Sequence, residues 1–128
     1  MDINTHLKID NNISGECIEL KKDYAKVKLC TKDFMCADKH DLIHGGFIFS
    51  SADYCAMLAV NNPNVVLAKS TTKFIAPVKL KDIIILEARV ISSDGFKSEV
   101  EVIAIVKEKV VFKGTFFTAT LKNHIFDV

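Results

Sequence analysis

The stretch His44-Gly45-Gly46-Phe47-Ile48-Phe49-Ser50-Ser51-Ala52-Asp53, running on as Tyr54 to Val60, decides how this chain folds. From Phe47 to Val60 it has no strand-like alternation and few β-branched residues, so it reads as a helix. Asn61-Asn62-Pro63-Asn64 is a breaker cluster that ends it. The helix is apolar nearly all round and must therefore be buried on most of its sides. Gly45-Gly46 opens it with free backbone N–H groups that a ligand can approach closely. One carboxylate, Asp53, sits seven residues after Gly46, nearly two full turns on and close to the same face. An amide that binds oxygen and a carboxylate base are the two groups that hydrolysis of a carbonyl compound requires.

Outward from the helix, turn signals divide the chain into strands. Before it lie ISGECIEL and YAKVKLCT, separated by Lys21-Lys22-Asp23. Tyr24, Lys26 and Lys28 alternate with Ala25, Val27 and Leu29, as in a half-buried strand of a hairpin. After the helix, VVLAKSTTKFIA ends at Pro77 and DIIILEARVIS at Ser93-Asp94-Gly95. FKSEVEVIAIVK then ends at Lys107-Glu108-Lys109, and VVFKGTFFTATL is the last strand. These runs are rich in Val, Ile, Phe and Thr, and tight turns join the last three into an antiparallel meander. Two strands, one helix and four strands predict an α+β fold, a long curved antiparallel sheet wrapped around one central helix.

The 128 residues suit a single domain over 1–128. An apolar fraction of 49% is high for so small a domain and points to a surface covered by a second copy. Lys+Arg 17 against Asp+Glu 16 leaves no global field to attract nucleic acid or a membrane. MDINTHLKIDNN lacks a basic segment followed by an apolar core, and no apolar run approaches the ~20 residues of a membrane span. The expected location is the cytoplasm. Cys17, Cys30, Cys36 and Cys55 form no CxxC pair or zinc spacing, so they are expected reduced and partly buried.

The layout, with His44-Gly45-Gly46 and Asp53 nine residues after the histidine, resembles the hotdog-fold acyl-CoA thioesterases of the phenylacetate-degradation (PaaI-like) group. The resemblance runs from about Ile13 to Leu121 and includes Phe74-Ile75-Ala76-Pro77, similar to that family's aromatic-x-x-Pro strand end. It implies a homo-oligomer, dimer or dimer of dimers, whose protomers pair edge to edge with acyl-CoA bound at the interface. It also implies that the N–H at Gly45 polarises the thioester carbonyl. The carboxylate at Asp53, from the other subunit, then activates water or attacks directly. No metal or organic cofactor is implied. Two positions depart from the family pattern Asn-x-x-Gly-x-x-His-Gly-Gly: Asp38 stands for the Asn and Asp41 for the first Gly. An ionised Asp38 accepts hydrogen bonds but cannot donate one.

Asp53, Gly45 and His44 are the catalytic candidates that follow; Gly46, Asp38, Ser70, Thr71, Lys73 and Pro77 are the substrate-contact candidates. Each has a plainer role. Most Asp residues face solvent, but the helix neighbours of Asp53 are Phe49, Ser50, Ala56 and Met57, of which only Ser50 could bond to it. A loop histidine that holds the turn is a commoner role for His44 than a base or, with His40, a metal ligand. Ser70 or Thr71 would supply the hydroxyl that orients water in some family members. Lys73, Lys79 and Lys81 flank the Pro77 turn and suit coenzyme A phosphates, although solvated lysines are more frequent. Cys55 and the stripe of Phe112, Phe116 and Phe117 read as core. The rival to hydrolysis is an acyl-CoA-binding sensor that leaves the thioester intact.

Overall fold

The computed structural model describes residues 1–127. A short helical turn, α1 (Asn11–Ser14), precedes β1 (Glu16–Lys21) and β2 (Tyr24–Cys30). The long helix α2 (Gly45–Val60) follows, then β3 (Val65–Phe74), β4 (Ile83–Ser93), β5 (Lys97–Val106) and β6 (Lys109–Thr120). All six strands form one antiparallel sheet in the order β1-β2-β4-β5-β6-β3. This is the expected hotdog arrangement, with α2 lying against the sheet.

Two boundaries differ from expectation. The start of ISGECIEL is the α1 turn rather than strand, because the Asp10 carboxylate caps it by accepting from Asn12 N–H. The long helix begins at Gly45, not Phe47. His44 holds extended dihedrals (φ −65°, ψ 131°), so the turn lies before the glycines and both enter the helix as its first two residues.

Alternation along the strands sorts the two faces. Ala25, Val27 and Leu29 of β2, Ile84, Leu86 and Ala88 of β4 and Val100, Val102 and Ala104 of β5 are all buried against α2. The small side chains of Ala52, Cys55, Ala56 and Ala59 let the helix sit close to that surface. Cys55 Sγ lies 3.5 Å from Ala25 O and 3.6 Å from Leu86 O, and burial pushes its thiol well above the usual range. It is core filler, as expected, and a poor nucleophile. No cysteine among the described residues is bridged; Cys30, contrary to expectation, is exposed.

In β3 a bulge falls between Leu67 and Lys69. Beyond it, Ser70, Thr72 and Phe74 pair with Phe116, Gly114 and Phe112 and share their inward face. Lys69, Thr71 and Lys73 face outward with Phe117, Thr115 and Lys113. Phe112 and Phe116 are therefore core, whereas Phe117 lies on the outer face under the Lys69 ammonium.

Candidate active site

The loop before α2 is built to deliver two free amides. Asp38 Oδ1 accepts from the backbone N–H groups of His40 (2.8 Å) and Leu42 (3.3 Å). Asp38 is thus an exposed loop clasp whose acceptor capacity is turned onto its own backbone. Asp41 takes φ 65°, the left-handed region where the family pattern has glycine. Substituting Asp for Gly there leaves the turn intact because Asp tolerates that region better than most residues. Ile43 N–H then bonds Val78 O and His44 N–H bonds Met35 O, each at 2.9 Å, which fixes where the helix begins.

No side chain caps the helix, and the first N–H inside it to find a partner is that of Phe47, bonded to His44 O. The N–H groups of Gly45 and Gly46 are left open, as the opening turn of a helix leaves them. Two rings flank them. A methyl placed on Gly45 would meet Phe74 Cε1 at 3.0 Å, and one on Gly46 would meet the His44 ring at 3.1 Å. The His44 ring also meets Phe47 edge-on at 6.2 Å and makes no hydrogen bond among the described residues. Its backbone holds the turn; its imidazole borders the site.

Asp53 lies two turns into the helix, half-buried, with Oδ1 shut away from solvent and without a hydrogen-bond partner among the described residues. Ser50 does not serve it: its hydroxyl pairs with Ser14 Oγ at 2.9 Å, while Ser51 Oγ bonds Ser14 O. Burial pushes the Asp53 carboxyl up to about 6 from 3.8. A carboxylate near neutrality, lacking a partner, can take a proton from water. Gly45 and Asp53 are eight residues apart, about 12 Å along the axis.

The remaining candidates divide by face. Ser70 points inward toward the helix layer; Thr71 and Lys73 do not, since the β3 bulge turns them to the outer surface. Lys73 there stands directly opposite Lys113. The inward hydroxyl that sequence reasoning missed is Thr72, whose methyl packs over Gly114. Pro77 borders an apolar groove with Gly45, Ile48 and Phe74. Among the described residues no three His, Cys, Asp or Glu side chains are arranged to hold a metal ion, and no helix is long and apolar enough to cross a membrane.

Residues 40–113 match the profile of the Thioesterase superfamily. Over 121 residues the chain is 51% identical to methylthioribose-1-phosphate isomerase from Aquifex aeolicus, covering 94% of this chain and 26% of that one. It is 30% identical over 113 residues to transcription factor FapR from Caldanaerobacter subterraneus, covering 87% and 56%. The chain thus spans about a quarter and about half of these relatives. The crystal structure of PH1136 from Pyrococcus horikoshii superposes with a TM-score of 0.97 at 42% identity, covering 99% and 98%. The PaaI protein of the E. coli phenylacetic acid degradation operon shares the fold, with a TM-score of 0.80 at 20% identity over 88% and 83%.

Proposed function

This chain belongs to the thioesterase superfamily, and from that premise we propose that it hydrolyses an acyl-CoA thioester in a site completed by two copies. The observation that carries this reading is Asp53: a half-buried carboxylate with an orphaned oxygen and a pKa near 6, on a helix whose opening amides are free. The thioester oxygen accepts from Gly45 N–H, which offsets the charge that develops as the carbonyl carbon becomes tetrahedral. Asp53 of the other copy takes a proton from water, and the hydroxide adds to that carbon. The C–S bond then breaks, the proton held by Asp53 passes to the departing thiolate of coenzyme A, and the product acid ionises to solvent. The copies meet along the free β3 edge, where ten residues lack a partner on one side.

The test is thiol release from a panel of acyl-CoAs. Asp53→Asn should lower kcat by about 10²–10⁴-fold with the fold unchanged, since it removes the base but keeps the shape. Full activity in that variant would refute the mechanism. The similarity to a transcription factor over 87% of the chain favours one second reading, an acyl-CoA-binding sensor. Tight binding across the panel with no thiol released would establish that reading instead. The isomerase activity named for the Aquifex relative is not carried over, as the chain matches 26% of that protein.

A further inference from the structure

We propose that Ser14 is a positioning residue for Asp53: by holding the Ser50 hydroxyl against α1, it keeps the carboxylate without a hydrogen-bond donor and therefore basic. The inference rests on the reading of Asp53 as the base and describes how this chain sets that base's strength. Ser50 stands three residues before Asp53, and side chains so spaced on a helix are neighbours, about 5–6 Å apart at Cβ. That separation is within reach of a hydroxyl-to-carboxylate bond. The other side chains one turn from Asp53 are Phe49, Ala56 and Met57, none of which can donate. Ser50 is thus the neighbour able to quench the carboxylate. Its Oγ instead lies 2.9 Å from Ser14 Oγ. Whichever hydroxyl donates, the Ser50 oxygen is turned to α1, and Asp53 Oδ1 stays unpartnered among the described residues.

Ser14 is itself firmly placed. It is 3% exposed and ends the α1 turn, which Asp10 starts by accepting from Asn12 N–H. Gly15 follows at φ 88°, where a methyl would fall 2.6 Å from Val27 Cγ1 and 2.9 Å from Lys28 O, so the chain passes there only as glycine. Fully buried Ser51 donates from Oγ to Ser14 O at 2.9 Å, which fixes the Ser14 backbone independently of its side chain. No charge competes for Asp53 among the described residues packed on α2. The inward faces of β2 to β6 bring no ionisable side chain, and α1 brings only its exposed cap, Asp10. From β1 comes the Cys17 thiol, and on α2 itself stand Tyr54 and Cys55; burial pushes all three up, so they stay neutral. The His6 ring, against Tyr54, is pushed down by burial and is neutral as well, while His44 lies nine residues away at the helix start. Burial alone raises the Asp53 carboxyl.

The experiment titrates the Asp53 carboxyl carbon by NMR in wild type, Ser14→Ala, Ser50→Ala and the double variant, beside the pH profile of kcat/KM for thiol release from hexanoyl- and benzoyl-CoA. In Ser14→Ala the freed Ser50 hydroxyl turns to the carboxylate, a charged acceptor that outcompetes the backbone carbonyl one turn back. A bond to the ionised form favours it, so Asp53 should titrate about one unit lower and the rising limb of the profile should move with it. The weaker base should also lower the plateau about threefold. The double variant has no hydroxyl left to donate and should restore the wild-type midpoint; Ser50→Ala alone should leave that midpoint unmoved. An unmoved midpoint in Ser14→Ala, or a shift that persists in the double variant, would overturn the inference, since lost packing does not depend on the Ser50 hydroxyl. If neither thioester is cleaved, hydrolysis fails as a reading. The NMR midpoints then still decide whether Ser14 restrains Ser50.

Discussion

Asp53 couples what the protein can do to how stable it is. Burial without a partner holds its carboxyl at about 6, above the ordinary 3.8. Between those two values the folded chain keeps a proton that the unfolded chain has released. Stability therefore falls as pH rises through that window and levels off above it. Activity runs the other way, because the base must be ionised to accept a proton, so kcat/KM should climb through a pKa near 6 and then plateau. Asp53→Asn removes the ionisation. Denaturant titration should find it more stable than wild type at neutral pH, by up to about 2 kcal/mol given the partial exposure, and no more stable in acid. Equal stability of the two proteins at both pH values would mean that the carboxylate is not desolvated. Asp38 and Asp41, in the loop before the helix, are held differently: Asp38 accepts from two backbone amides, and Asp41 is half-buried in a turn at φ 65°.

At the scale of elements, the opening of α2 offers a substitution that deletes one atom's chemistry and little else. Gly45 is the first helical residue, where proline is welcome, and His44 already holds the extended dihedrals that proline demands of its predecessor. Gly45→Pro should fold yet lose the oxyanion donor, lowering kcat by about 10²–10³-fold. Gly45→Ala adds the same pressure on the Phe74 ring but keeps the N–H, so it should stay within about tenfold of wild type. Matching losses in the two would attribute the effect to crowding and remove Gly45 from the mechanism. The β5–β6 hairpin makes a separate prediction. Its two loop residues, Lys107 and Glu108, hold φ 47° and 71°, a left-handed pair that Asn-Gly adopts with far less strain. Lys107→Asn with Glu108→Gly should raise the urea midpoint, a gain of about 1 kcal/mol. An unchanged midpoint would mean that the turn is unstrained.

These elements also mark what could be read in advance. The helix, the strand sequence and the meander were legible because apolar period, breakers and turn residues agree at every step. The helix start was misplaced by two residues because a glycine pair reads as turn, whereas the backbone turn is made earlier, by Asp41. The face of Thr71 and Lys73 was illegible for a sharper reason. Alternation counted from buried Val65 fails at the bulge after Leu67, and one extra residue exchanges every side chain beyond it between faces. Thr72 and Phe74, not Thr71 and Lys73, gained the inward positions.

For the whole molecule, the decisive question is whether Gly45 and Asp53 act within one chain or across two. They lie eight residues apart on one helix, about 12 Å of axial rise. The β3 edge is free, and the helix face carrying Gly46, Phe49, Asp53 and Val60 is only partly covered. A two-fold pairing would bring one copy's amides toward the other's carboxylate, and a two-fold interface repeats that contact twice. Gly45→Pro and Asp53→Asn are each expected to be inactive as homodimers, but for different missing parts. Unfolded together and refolded at equal ratio, they form mixed dimers in which one site joins an intact Gly45 to an intact Asp53 and the other site lacks both. With half of all dimers mixed, thiol release should recover to about a quarter of the wild-type rate. A site contained in one chain would recover nothing on mixing, because every chain carries one of the two lesions.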